Sequence, residues 1–184
     1  MRLFIAIDIS AAVRDGLAAL QTQLLRRHLP VTWAAPVGMH LTLRFLGETP
    51  AGQLVSINTA MQAAANRCGI FTLATAAPGA FPDMHEPAVL WIGVGGDIEQ
   101  LLWLYTALGR ALEPLGFAHD ERPFRPHLTL GRVRDRSAHT EIAAAMRELF
   151  LPSITWQVDH IALYRSERMP QGPRYTRLSG VQLA

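Results

Sequence analysis

The sequence predicts an α+β fold of two similar lobes, each half reading β-α-β-α-β, with antiparallel sheets facing a central cleft. Three observations carry that expectation. The word His-Leu-Thr-Leu occurs at His40–Leu43 and again at His127–Leu130, and 127 − 40 = 87. Upstream, Leu3-Phe4-Ile5-Ala6-Ile7 shifted by 87 falls on Leu90-Trp91-Ile92-Gly93-Val94, a conservative match throughout. Downstream, the apolar run from Phe71 falls on the one from Val158. A constant offset over three segments is the mark of an internal duplication. Repeats of about 2–76 and 89–165 inside a single domain of residues 1–184 follow from it.

The elements of the first half can be justified in order. Arg2 to Ile9 reads as a strand, and Ser10 is an N-cap residue before a helix carrying Val13, Leu17, Leu20, Leu24 and Leu25 on one stripe. Pro30 stops that helix, Val31 to Ala34 forms a short strand, and Pro36 and Gly38 turn the chain into the first His-Leu-Thr-Leu strand. Period two puts Gly38, His40, Thr42 and Arg44 on one face of that strand and Leu41 and Leu43 on the other. Thr49-Pro50 reads as an N-cap followed by proline at the first helical position, opening a helix to about Arg67. Phe71 to Thr75 is a strand, and Pro78 to Pro87, with His85 inside it, reads as a surface loop joining the halves.

The second half repeats the plan. Ala88 to Val94 is a strand, Gly95-Gly96 turns the chain, and Asp97 caps a helix ending near Gly116. Phe117 to Pro126 leads to the second His-Leu-Thr-Leu strand, where Arg125, His127 and Thr129 share a face. Thr140 to Phe150 is a helix, and Val158 to Arg165 and Arg174 to Leu183 are strands joined by a turn around Met169 to Pro173. His160 reads as a packed or edge histidine, and Phe4, Trp33, Tyr164 and Tyr175 as core aromatics able to stack a base if exposed. His119 and His139 fall in loops.

Composition limits the function. A chain of 184 residues with 49% hydrophobic content can bury a sizeable core. Its one cysteine, Cys68, permits no intrachain disulfide, and the apolar run from Leu3 to Ile7 is too short for a signal peptide or membrane span. A cytoplasmic protein without membrane attachment is therefore expected, and it is taken to be a monomer, although nothing in the residues bears on oligomeric state. Net charge is only +2, yet all 17 basic residues are arginine. Arg122, Arg125, Arg132, Arg134 and Arg136 crowd around the second motif, and Arg165, Arg168, Arg174 and Arg177 lie near the C-terminus. Guanidinium groups offer a planar fork of donors suited to phosphate. Gly93, Gly95 and Gly96 lack the spacing of a nucleotide loop.

The repeated word carries the chemistry. If a two-fold axis relates the halves, one His/Thr pair faces the other across the cleft. Two imidazoles flanking a substrate suit in-line displacement at phosphorus, one accepting a proton from water while the other donates to the leaving oxygen. The Thr42 and Thr129 hydroxyls can bond the non-bridging oxygens. A single His-x-Thr on a strand is ordinarily a satisfied pair; its duplication at constant offset favours catalysis. No HxH, HExxH or acidic cluster accompanies the histidines, so neither metal nor cofactor is expected.

At Arg2-Leu3-Phe4-Ile5-Ala6-Ile7-Asp8, His40 to Glu48 and Arg122 to Leu130 the sequence resembles the bacterial and archaeal RNA 2′,3′-cyclic phosphodiesterases of the 2H phosphoesterase superfamily, formerly named 2′-5′ RNA ligases. The resemblance runs from Arg2 to about Val181. It implies a bilobal 2H phosphoesterase fold and metal-independent opening of 2′,3′-cyclic phosphates on RNA 3′ ends or nucleotides to 2′-phosphomonoesters. It implies His40 as proton donor and His127 as proton acceptor, and it carries Arg132 and, less directly, Arg125 over as phosphate ligands. Other 2′-5′ linked or nucleotide-derived substrates, reverse 2′-5′ RNA ligation, and non-catalytic binding of RNA ends remain open at this level.

Overall fold

The computed structural model describes residues 1–118, 123–170 and 172–184. Arg122 and His119 lie outside the described residues. Along the described chain run β1 (Arg2–Asp8), α1 (Ala11–Leu25), β2 (Val31–Trp33), β3 (His40–Glu48), α2 (Leu54–Ala65), β4 (Phe71–Phe81) and β5 (Val89–Gly96). There follow α3 (Ile98–Leu112), β6 (His127–Val133), α4 (His139–Arg147), β7 (Thr155–Val158), β8 (His160–Met169) and β9 (Gly172–Gln182).

The strands form one continuous sheet in the order β7-β4-β5-β6-β3-β1-β8-β9, with β2 also paired to β6. Its pairings are antiparallel. The two lobes meet where Leu41 of β3 faces Leu128 of β6. Because 128 − 41 = 87, the junction pairs a residue with its own repeat mate, as a two-fold axis through that point requires.

Lobe and repeat are different divisions of the chain. The third strand of each repeat crosses over: β4 pairs with β5 of the second repeat, while β8 pairs with β1 of the first. The first helix of each repeat crosses as well. Gln21 of α1 donates from Nε2 to the carbonyls of Ala34 at 2.8 Å and Leu130 at 2.9 Å, which satisfies an amide buried on the second lobe. In turn α3 packs against α2 and β3. The core formed by this exchange is continuous, running from Leu3 and Ile5 through Leu41 and Leu128 to Leu104, Ile142 and Leu163.

Local chemistry explains where elements begin, and where the sequence misleads. Ser10 Oγ accepts from the Val13 amide at 3.3 Å, as an N-cap should. Thr49 does not cap α2: its hydroxyl bonds the Gly47 carbonyl, and a tight turn over Ala51–Gln53 precedes the helix. Asp97 precedes α3 as expected, but its carboxylate accepts from the Thr72 amide at 2.8 Å and ties the helix to β4. The predicted loop from Pro78 is strand as far as Phe81. Pairing of β4 with β7 stops at Ala74, so Pro78 sits on an open edge beside a register shift, where a missing N–H costs little. The single strand expected from Val158 is two, because β7 pairs with β4 and β8 with β1. None of the described helices is long and apolar enough to cross a membrane.

Candidate active site

Both copies of the repeated word present the same face. Leu41, Leu43, Leu128 and Leu130 are buried, while His40, Thr42, His127 and Thr129 are half-buried on the opposite side of the sheet. Antiparallel register through Leu41 and Leu128 sets His40 at the level of Thr129 and Thr42 at the level of His127. The four predicted residues are thus brought together on adjacent strands.

Register shifts decide the arginines. In β3 the pairing skips Leu43, since Ile5 faces Arg44 and Ala6 faces Thr42; in β6 it skips Leu130, since Leu90 faces Gly131 and Trp91 faces Thr129. The two bulges are repeat mates, 130 − 43 = 87. An extra residue reverses the alternation beyond it. Arg44 therefore leaves the His40 face, contrary to the simple period, and is buried with bonds to the Tyr105 hydroxyl at 3.5 Å and the Ala118 carbonyl at 2.5 Å. Arg132, five residues after His127 and so on the opposite face by simple alternation, is returned toward it. Its charge acts on both His127 and Tyr175. Arg125 contributes its main-chain carbonyl, and its side chain is exposed.

The two imidazoles are oriented alike. His40 Nδ1 lies 2.7 Å from the Gly38 carbonyl, and His127 Nδ1 lies 2.7 Å from the Arg125 carbonyl. A carbonyl only accepts, so Nδ1 carries the hydrogen in each ring and Nε2 is left for chemistry. Packing holds the rings. Phe4 stacks on His40 with centroids 4.6 Å apart, and Phe81 meets His127 edge-on at 4.8 Å.

Their electrostatic surroundings differ. Burial, the largest influence, lowers the pKa of His40, with His127 adding to the effect; the Gly38 carbonyl and the Asp8 charge oppose it. Burial also lowers His127, opposed by the Arg125 carbonyl but reinforced by the Arg132 charge. Asp8 faces His40 across β1 and β3. Its carboxylate accepts from Tyr164 at 2.5 Å and His160 at 2.9 Å, with Arg177 at 3.5 Å. Burial raises Asp8, but these partners outweigh it and hold the carboxyl below its ordinary value. The other nitrogen of His160 lies 2.5 Å from Asp159, and the two carboxylates overcome burial to raise that imidazole.

A cavity of about 660 Å³ opens beside His40, lined by Asp8, Arg14, Gly38, Tyr164 and Tyr175 among others. Sequence reading missed Asp8 and Arg14 as site residues, and left both tyrosines to the core. The second repeat has no aspartate to match Asp8: Gly93 faces His127 from β5, because the first strands of the repeats align in the structure at 93 − 8 = 85 and not at the 87 read from the sequence. No group of three or more His, Cys, Asp and Glu able to hold a metal occurs among the described residues.

A fold with one His-x-Thr pair from each repeat on a common face has close relatives. The family model for the 2′-5′ RNA ligase superfamily matches residues 7–170. An RNA 2′,3′-cyclic phosphodiesterase of Thermotoga maritima is 32% identical over 95% of this chain and 91% of its own. One of Methanothermobacter thermautotrophicus is 29% identical over 100% of this chain and 99% of its own. Among solved structures, a Thermus thermophilus protein superposes with TM-score 0.81 at 29% identity, covering 100% of this chain and 98% of that one. Escherichia coli LigT complexed with 3′-AMP gives TM-score 0.75 at 26% identity, covering 99% and 97%. The chain belongs to the 2′-5′ RNA ligase superfamily.

Proposed function

We propose that this chain is a metal-independent hydrolase that opens 2′,3′-cyclic phosphodiesters on RNA 3′ ends or nucleotides and leaves a 2′-phosphomonoester. One bilobal domain, residues 1–184, supplies both halves of the site. The observation that carries the reading is the pair of imidazoles on one sheet face, each with Nδ1 held by a carbonyl two residues earlier and Nε2 unengaged by it. Relatives named RNA 2′,3′-cyclic phosphodiesterase, about as long as this chain, support the substrate class.

The reaction assigns each group a task. Neutral His127 takes a proton from water as its oxygen bonds phosphorus, and protonated His40 gives a proton to the 3′ oxygen as the bond from phosphorus to that oxygen breaks. Thr42, Thr129 and Arg132 hold the non-bridging oxygens, with Arg125 at the rim. The asymmetry of charge supports this order. Asp8 favours the protonated form of His40, and Arg132 disfavours protonated His127.

The test is hydrolysis of adenosine 2′,3′-cyclic phosphate in excess EDTA, with the product isomer resolved chromatographically. Accumulation of the 2′-monophosphate is expected, and dependence on an added metal would overturn the mechanism.

A further inference from the structure

The cavity beside His40 extends well past the reacting atoms, and its contents differ from those of the His/Thr face. At about 660 Å³ it falls within the usual size of a small-molecule site. Tyr164 and Tyr175 supply flat walls, both tied to the Phe4 ring, at 5.4 Å and 5.2 Å between centroids. Two cationic side chains line it, Arg14 and Arg174. Arg174 is committed to Glu167 at 3.0 Å. Nearby Arg177 is turned to Asp8.

Arg14 is placed differently. It stands in α1, its Nη2 touches the Ile9 carbonyl only at the long distance of 3.4 Å, and its Nε is buried with no hydrogen-bond partner among the described residues. A guanidinium offers five donors in a fixed fork, and that of Arg14 lines the cavity with only the long Ile9 contact among the described residues. Such a group at the wall of a cavity is prepared for an anion with several acceptor oxygens.

The chemistry of the substrate says which anion. With His40 on the side of the 3′ oxygen and water on the side of His127, the ribose lies toward the cavity that His40 lines. Apart from the cyclic phosphate, the phosphate that ribose carries is on its 5′ oxygen. Resting on the hydrolase reading above, we infer that the cavity is a second phosphate subsite, in which Arg14 binds the 5′-phosphate of the terminal nucleotide while Tyr164 and Tyr175 wall the nucleoside. This makes the preferred substrate an RNA end or a 5′-phosphorylated nucleotide. Asp8, also in the lining, does not cancel the site, because its carboxylate already accepts from Tyr164 and His160.

The experiment compares three substrates: adenosine 2′,3′-cyclic phosphate, the same compound with a 5′-phosphate, and an ApA dinucleotide ending in the cyclic phosphate. Wild-type protein should prefer the last two. In Arg14→Ala the ratio of kcat/KM for either of these to that for the first should fall by about 10- to 100-fold, the range of a hydrogen bond to a charged group. Arg14→Lys should keep part of the preference. A fall for both names a 5′-phosphate of either source, and a fall for the dinucleotide alone names the internucleotide diester. In parallel, calorimetry measures binding of adenosine 2′-phosphate with and without a 5′-phosphate. If no substrate is turned over yet Arg14→Ala selectively weakens the doubly phosphorylated ligand, the hydrolase reading falls and the subsite stands. Ratios and affinities unchanged by Arg14→Ala overturn the subsite, whatever the enzyme hydrolyses.

Discussion

Asp8 and His40 are cross-strand partners, whereas the residue facing His127 from β5 is Gly93, so only one of the two site histidines has a carboxylate opposite it. The charge of Asp8 raises the pKa of a ring that burial lowers. Asp8→Asn should therefore let the His40 pKa fall further. Since His40 is required protonated, its active form is lost as pH rises through that pKa, and the alkaline limb of kcat/KM against pH should move to lower pH. An alkaline limb that stays in place in a folded variant would remove Asp8 from the account.

Arg132 acts in the opposite sense on the other ring. Its charge helps hold His127 below the ordinary histidine value, and His127 is required neutral. Arg132→Ala should raise the His127 pKa, so the acid limb of kcat/KM should move to higher pH. It should also reduce kcat/KM at the optimum by about 10- to 100-fold through loss of a charge-assisted bond to phosphate. The two limbs belong to a coupled pair, so both are read from the full profile.

The division of labour between the histidines is tested with a substrate whose 3′ oxygen is replaced by sulfur. A thiolate leaves with little protonation, so His40→Ala should recover most of its rate on that substrate and His127→Ala should not. On the ordinary substrate each variant should lose about 10²- to 10⁴-fold, the usual worth of one acid or base. Recovery of His127→Ala alone would mean the roles are reversed.

Packing at the lobe junction makes a stability prediction. Leu128 is fully buried opposite Leu41, and Leu128→Ala should cost about 2–5 kcal/mol. A methyl added at Gly131 would lie 2.7 Å from a Val31 methyl and 2.9 Å from the Thr32 carbonyl oxygen, so Gly131→Ala should destabilise by about 1–3 kcal/mol. The same change at Gly52, where nothing lies within 4 Å, is the control. Chemical denaturation that ranks Gly52→Ala with Gly131→Ala would contradict the close approach of β2 to β6.

Much of this arrangement is legible in the residues alone. His40, Thr42, His127 and Thr129 share a face because local period two is set by the backbone, and the leucines between them mark the buried side. Arg44 and Arg132 could not be placed that way, because a bulge depends on the neighbouring strand: Leu43 is skipped by β1, and Leu130 by β5. Asp8 reads as the polar end of an apolar strand until His160 and Tyr164 are brought to it from the second repeat. The exchange of third strands is hidden for the same reason, since β4 and β8 would look alike in either lobe.

That exchange bears on how the chain is made. β1 lies between β3 and β8, and it meets β8 through pairs such as Leu3 with Arg165, which join the start of one repeat to the end of the other. A nascent chain leaving the ribosome can pair β1 with β3 early, but the other edge of β1 stays open until β8 has emerged. The first repeat also releases β4 before its partners β5 and β7 exist. Neither repeat therefore completes its own strand pairings during synthesis, and the unpaired edges of the first stay open to other chains until the last strands of the second have been made.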